Sequence, residues 1–263
     1  VHGVESDPAT ALLAAANLGP GHRVDVGRAE DADLGGLASG DAVFCDPARR
    51  TSHGRSWRVE DLNPSWAFVE HLLGLSGVEV CVKLGPGLPT RLVPDAAEAE
   101  WVSDRGDVVE VALWAGPGSR PGRRAAVVDG AELVSDASGD VDAGPLGDWL
   151  HEPDGAVIRA GLTGQVARSL DAHRVHDQVA YLTGPRPAQS PFVTSFEVLE
   201  TLPLKALRGW VRDRRIGVLE IKKRGLDIDP AVLRKQLRPA GPHSATAVLT
   251  PTDAGATAII VRR

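Results

Sequence analysis

Methionine is absent from all 263 residues, so no initiator opens the chain, whose first residues already read as a strand. The sequence is therefore expected to be a fragment or a processed form of a longer protein. Cysteine is scarce. Cys45 and Cys81 both lie inside apolar, strand-like runs, which excludes a disulfide framework and suits a reducing compartment, so the expected location is cytoplasmic. No apolar run approaches the roughly 18–20 residues of a membrane span. No basic-then-apolar leader opens the chain, so export is not expected either. A phosphate-binding P-loop and a Gly-x-Ser-x-Gly nucleophile turn are both missing. His173, His176 and Asp177 have no second ligand cluster, so no metal is expected.

What is present reads as a globular α/β protein, with 43% hydrophobic and 24% charged residues. Arginine outnumbers lysine 24 to 5, a bias that suits a GC-rich coding sequence and carries no functional message. The net charge of −6 hides a division. Residues 1–150 carry 12 basic and 24 acidic side chains, whereas residues 151–263 carry 17 and 11. Halves of opposite sign point to two domains with different partners. Residues 135–144, rich in Asp, Gly and Ser, read as the linker between domains at 1–134 and 145–263.

Periodicity places the elements. Asp7-Pro8 caps a helix with Leu12, Leu13 and Ala16 on its apolar face, and Gly19 stops it. Strands follow at 22–27, 41–45 and 78–84, with a helix over 66–75 between the last two, the alternation of a parallel sheet. Further strands at 108–114 and 125–134 turn through Asp129-Gly130 as a hairpin. Beyond the linker, helices are expected over 154–170, 204–215 and 229–237. Strands are expected at 192–199 and 217–222, and a closing hairpin over 244–261.

Chemistry gathers at strand ends, where open parallel sheets bind ligands. Val43-Phe44-Cys45-Asp46-Pro47-Ala48-Arg49-Arg50 delivers an acid and a proline into a loop. Val4-Glu5-Ser6-Asp7-Pro8 ends another strand on acids, and Val82-Lys83-Leu84-Gly85-Pro86-Gly87 ends a third. Cys45 alternates with core positions and reads as packing rather than as a nucleophile. Lys83 reads either as a cleft residue or as a strand-end lysine reaching for solvent.

On these motifs residues 1–134 resemble a class I S-adenosylmethionine-dependent methyltransferase from its second strand onward. Residues 145–263 resemble a THUMP-like domain through Trp149-Leu150-His151-Glu152-Pro153-Asp154, Ile158-Arg159-Ala160-Gly161-Leu162, Ala180-Tyr181-Leu182-Thr183 and Glu220-Ile221-Lys222-Lys223-Arg224-Gly225. The implied fold is a Rossmann-like sheet, incomplete here, followed by a C-terminal α+β domain. The resemblance implies S-adenosyl-L-methionine as cofactor. Glu5, with Ser6 and Asp7 beside it, matches the ribose-binding position, although Asp7 is equally well explained as a helix cap. Glu30 matches the loop that reads adenine, or is a solvated loop residue. Asp46 and Pro47, with Lys83 nearby, match the place where the methyl group is transferred. Ala48 and Arg49 stand where amino-group methyltransferases often carry proline and an aromatic residue, so stacking of a flipped base has little support.

The family's glycine-rich loop and first strand, which lies between the strands ending at Glu5 and Asp46, have no counterpart in residues 1–134. Without them the chain is expected to bind cofactor poorly. Arg49 and Arg50 suit a substrate anion, and Arg212, Arg215, Lys222, Lys223 and Arg224 belong to a basic run suited to RNA phosphates. The expected activity is methyl transfer to RNA. The other reading is an inactive RNA-binding or scaffold protein of the same shape, with the basic run an ordinary charged surface.

Overall fold

Asp7, Pro8 and Gly19 limit the first helix as the sequence predicts. In a computed structural model that describes residues 1–48, 50–51, 54–55 and 59–263, helix α1 spans Pro8–Leu18. The Asp7 carboxylate accepts a hydrogen bond from the Thr10 N–H at 2.7 Å, and Gly19 adopts φ 76° at the C-cap. The predicted apolar face does not become core. Leu12 is 73% and Leu13 65% exposed, and only Ala11 is buried.

The chain forms two compact units, residues 1–102 with 109–124, and residues 103–108 with 125–263. In the first, β1 (His2–Glu5) pairs in parallel with β2 (Arg23–Val26). Strand β3 (Ala42–Cys45) is followed by a small hairpin, β4 (Arg50–Thr51) and β5 (Gly54–Arg55), and by helix α2 (Trp66–Leu73). β3 pairs in parallel with β6 (Glu79–Leu84), Cys45 opposite Val82. Strands β7 (Glu98–Asp104), β8 (Asp107–Ala115), β9 (Arg124–Val128) and β10 (Ala131–Val134), of which residues 103–108 and 125–134 belong to the second unit, complete a sheet of order β10-β9-β7-β8-β6-β3. β3 is its edge, and among the described residues β1 pairs with β2 alone. The Asp129-Gly130 turn, with φ 48° and 87°, joins β9 to β10 as predicted.

Alternation decides which sheet face is core. Val80, Val82 and Leu84 of β6 are buried on one side, where α2 contributes Val69, Leu72 and Leu73. Cys81 and Lys83 point to the other side and stay half-buried. A buried ion cluster ties β7 to the loop before β9. Glu98 meets Arg123 and accepts the Arg120 N–H at 2.8 Å, while Arg123 also reaches Glu100 at 2.9 Å. A buried charge is tolerable only when satisfied in this way.

The second unit adds β11 (Trp149–Pro153), α3 (Gly155–Ala160), α4 (Thr163–Ser169), β12 (His173–Arg174), β13 (Leu182–Gly184), β14 (Val193–Pro203), α5 (Leu207–Asp213), β15 (Ile216–Lys223), α6 (Pro230–Leu237), β16 (His243–Thr252) and β17 (Gly255–Arg262). Its sheet runs β12-β13-β11-β14-β17-β16-β15. Among the described residues, neighbouring strands of this sheet pair antiparallel except β15 with β16. Period-two alternation along β16 and β17 feeds two cores. Ala247, Leu249, Ala258 and Ile260 pack with Leu207, Val211 and Leu237. Val248, Ile259 and Val261 pack with Leu150, Phe196 and Tyr181. Residues 135–145 carry no helix or strand but are anchored, with Asp136 N–H on Gln165 and Asp140 paired with Arg174.

His151 of β11 is fully buried, its Nδ1 lies 2.9 Å from Ser195 Oγ, and among the described residues its Nε2 has no hydrogen-bond partner. Burial lowers its pKa from the ordinary 6.5. The unfolded chain therefore binds this proton more readily, and stability falls as pH drops below about 6.5 toward the folded-state value. In urea titrations from pH 8 to 5, His151→Leu should remove part of this acid loss, with a slope no steeper than about 1.4 kcal/mol per pH unit for one proton. Identical pH profiles for the two proteins would rule out His151 as its source.

Candidate functional site

Parallel pairing of β3 with β6 aligns their carboxyl ends, and the polar residues that follow meet there. Lys83 Nζ lies 3.5 Å from Asp46 Oδ2 and 3.7 Å from Glu110 Oε2. Glu110 comes from the antiparallel neighbour β8, on which Ala112 stands opposite Lys83. It is therefore a diagonal cross-strand partner, within reach of a long side chain. The three side chains are 56%, 41% and 30% exposed for Asp46, Lys83 and Glu110, so these pairs contribute no more than about 1 kcal/mol and orient rather than stabilise. Pro47 is buried behind Asp46. Glu110 was not singled out in the sequence, where it is one charge inside Val108-Val109-Glu110-Val111. The signal that could have found it is an acid that alternates with Val109 and Val111 in an otherwise apolar strand.

Glu5 ends β1, and its carbonyl accepts the Gly27 N–H at 3.0 Å, which starts the loop carrying Glu30. The Glu5 carboxylate is held from one side, Oε1 accepting the Asp7 N–H at 2.8 Å and the Ser6 hydroxyl at 3.3 Å. Ser6 and Asp7 thus serve the local turn, Asp7 also as the α1 cap, whose Thr10 hydrogen bond lowers its pKa. Glu30 accepts the Ser65 N–H at 3.3 Å and meets Arg28 at 3.4 Å. Its own backbone N–H, then those neighbours, hold its carboxyl below the usual range.

Glu30 also lies near enough to β3 to act on Cys45. Burial first, then the charges of Asp46 and Glu30, push the Cys45 thiol up to about 11. Burial, Glu110 and Glu100 raise Cys81 to about 11 as well. Neither thiol is a nucleophile at neutral pH. Of the sequence-derived set, Asp46 and Lys83 come together and Glu30 stands near Cys45 beside them. Glu5 ends a separate pair of strands that leads into the Glu30 loop.

Arg49 lies outside the described residues, and Arg50 is placed in β4 by its backbone. In the second unit the basic side chains differ in freedom. Arg212, at the end of α5, is exposed and pairs with Asp213 at 2.8 Å, and Arg215 is exposed in the turn before β15. Lys222 turns inward, 2.8 Å from Glu152 and 5.5 Å from the Phe196 ring. Lys223 is exposed and donates to the Leu226 carbonyl at 3.4 Å, while Arg224 stacks 5.5 Å from the Tyr181 ring. Burial first, then Glu152, raises the Tyr181 hydroxyl well above its ordinary value. An open groove of about 640 Å³, lined in part by Leu199, Trp210, Arg214, Val218, His243 and Arg262, escaped the sequence reading because four strands and α5 contribute to it. There Trp210 Nε1 donates to Glu200 at 2.9 Å, and Arg214 reaches the same carboxylate at 3.1 Å.

Among the described residues no helix is long and apolar enough to cross a membrane. Residues 193–263 match the family model described as THUMP domain-like. Two curated proteins of Mycobacterium tuberculosis, from strains CDC 1551 and H37Rv, are each 36% identical to the chain over 265 residues. The match spans 96% of this chain and 72% of each relative, and both are described as uncharacterized S-adenosylmethionine-dependent methyltransferases. A crystal structure from Porphyromonas gingivalis W83, assigned as a methyltransferase, superposes with a TM-score of 0.74 at 18% identity. It covers 99% of this chain and 70% of that one, and at this identity it speaks for the fold alone.

The thiol chemistry is directly testable. With both pKa values near 11, about one thiol in a thousand is ionised at pH 8. Alkylation of the folded protein by iodoacetamide should therefore be slow at pH 8 and accelerate toward pH 11. Rapid stoichiometric labelling at pH 7 would contradict this.

Proposed function

The chain belongs to the S-adenosylmethionine-dependent methyltransferases, and from that premise we propose that residues 1–134 hold the methyl donor while the THUMP-like domain in residues 145–263 captures RNA. The observation that carries the catalytic part is the meeting of Asp46, Lys83 and Glu110 at the carboxyl ends of adjacent strands. A bound S-adenosylmethionine supplies a methyl group made electrophilic by its sulfonium. The residues present fit such a group. Glu5 offers a carboxylate already fixed by two donors on Oε1, ready to accept from the two ribose hydroxyls. Ser6 and Asp7 hold that turn, and Glu30 lies on the adenine side.

Asp46, backed by the buried Pro47, accepts a hydrogen bond from the methyl-accepting group and aims its lone pair. Lys83 pins the Asp46 carboxylate and offers its charge to a substrate anion, and Glu110 keeps the ammonium in place. Alignment of the reacting atoms at about 3–3.5 Å with water excluded is the main demand of such a displacement, and no covalent enzyme intermediate is needed. That suits two thiols kept protonated. Arg49 and Arg50, directly after this loop, are assigned to substrate phosphate. Arg212, Arg215 and Lys223, which face solvent, are assigned to the RNA backbone, whereas Lys222 and Arg224 are engaged by Glu152, Phe196 and Tyr181.

Isothermal titration of S-adenosylmethionine into the full-length gene product should give saturable binding. Glu5→Ala should weaken it at least about tenfold, the loss expected of hydrogen bonds to a charged acceptor. Asp46→Ala should lower the rate of methyl incorporation while leaving cofactor affinity nearly unchanged. Full-length protein that shows neither binding nor methyl transfer sinks the catalytic reading and leaves an inactive methyltransferase-like scaffold.

The RNA assignment has its own measurement, gel shifts with structured RNA across 50–200 mM salt. Each phosphate neutralised should contribute about 0.7–0.9 to the slope of log affinity against log salt, and Arg212→Ala with Arg215→Ala should flatten it. Binding that is absent or indifferent to salt overturns it.

A further inference from the structure

The Asp46–Lys83–Glu110 cluster also carries information about what it methylates. Lys83 Nζ stands 3.5 Å from Asp46 and 3.7 Å from Glu110, beyond the roughly 2.7–3.2 Å of a closed N–H···O hydrogen bond. The ammonium is thus held between two acids while its N–H donors stay uncommitted. Asp46, 56% exposed, keeps its carboxylate open to a substrate. An acceptor with no proton to give therefore stands beside a donor with no lone pair.

A hydroxyl group fits this pair. It has one O–H for Asp46 and two lone pairs, one for a Lys83 N–H and one left for the methyl group. The exocyclic amino group of a base does not fit. It presents two N–H donors and calls for two acceptors, and its nitrogen gains positive charge that a neighbouring ammonium opposes. A pyrimidine ring carbon needs a thiolate to add to the base first, and Cys45 and Cys81 stay protonated at neutral pH. Ala48, next after Pro47, offers no ring on which a base could stack.

We propose that the methyl acceptor at this site is the 2′-hydroxyl of a ribose within RNA, with Asp46 taking its proton and Lys83 donating to its oxygen. The proposal rests on the methyltransferase and RNA readings above. That group is the one sugar hydroxyl of an internal RNA nucleotide, and it lies between two phosphates, which suits the arginine pair that follows the Asp46 loop. The oxygen lone pair forms the new O–C bond, and the C–S bond breaks with its electron pair going to sulfur. The O–H proton passes to the Asp46 carboxylate and on to water, so no cation builds up beside Lys83.

The test incubates the full-length gene product with tritium-labelled S-adenosylmethionine and RNA from cells lacking the gene, then hydrolyses the RNA in alkali. A methylated ribose hydroxyl blocks cleavage of its own phosphodiester, so the label should appear in alkali-resistant dinucleotides. Label in mononucleotides with methylated bases overturns the proposal and leaves the methyltransferase reading standing. No label in any RNA sinks that reading and the proposal with it. Lys83→Met, which keeps the apolar stem and removes the charge, should slow transfer about a hundredfold, and Lys83→Arg should recover part of the loss. An unchanged rate in Lys83→Met overturns the proposal. A second measurement needs no methyl donor. In filter binding, one deoxyribose at the modified nucleotide should weaken affinity about tenfold for the wild type. The same replacement should cost the Asp46→Ala, Lys83→Met double variant less than about twofold. Equal losses in the two proteins overturn the assignment. Circular dichroism melts establish that each variant is folded.

Discussion

The pairing register of β3, β6 and β8 is the constraint on which the first unit's chemistry depends. Cys45 opposite Val82 places Asp46 beside Lys83, and Ala112 opposite Lys83 brings Glu110 within reach from the third strand. A slip of one residue would turn Lys83 into the core and Val82 out to solvent, because side chains alternate with period two. The register is fixed by what lies beneath. Val80, Val82 and Leu84 have one buried face to occupy, and α2 supplies Val69, Leu72 and Leu73 to receive them. The cluster of Asp46, Lys83 and Glu110 is thus specified by packing on the opposite side of the same strands.

Electrostatics then divide labour among the polar groups. Glu98, Glu100 and Arg123 are drawn inward and satisfy one another, which makes them structural. Asp46, Lys83 and Glu110 remain half in water at separations of 3.5 and 3.7 Å, so their partners can be exchanged for a substrate at small cost. Burial first, then Asp46 for Cys45 and Glu110 for Cys81 among the neighbouring acids, raises both thiols. The second unit repeats the distinction. Lys222 and Arg224 lie against aromatic rings and Glu152, while Arg212, Arg215 and Lys223 face solvent. Five residues that look equivalent in a basic run carry unequal freedom.

Local signals were well written in the sequence. Asp7-Pro8 and Asp229-Pro230 cap their helices, Asp129-Gly130 turns its hairpin, and residues 244–261 pair as expected, because each depends on neighbours only a few bonds away. β7 went unread, since Glu98-Ala99-Glu100-Trp101 hides its acids in an ion cluster that needs Arg123 from 23 residues on. The apolar stripe of α1 was legible, but Leu12 and Leu13 stay in water because burial depends on what covers a face.

Residue type and order by themselves determined the helix caps and the two tight hairpins, the acid and lysine at strand ends, and the opposite charge of the two halves. These follow from backbone preference and side-chain chemistry, which need no knowledge of distant contacts. Only the tertiary structure decided that Glu110 joins Asp46 and Lys83, and that Lys222 and Arg224 turn toward aromatic rings. Each of those outcomes joins residues far apart in the chain, which only the packing of the strands brings together.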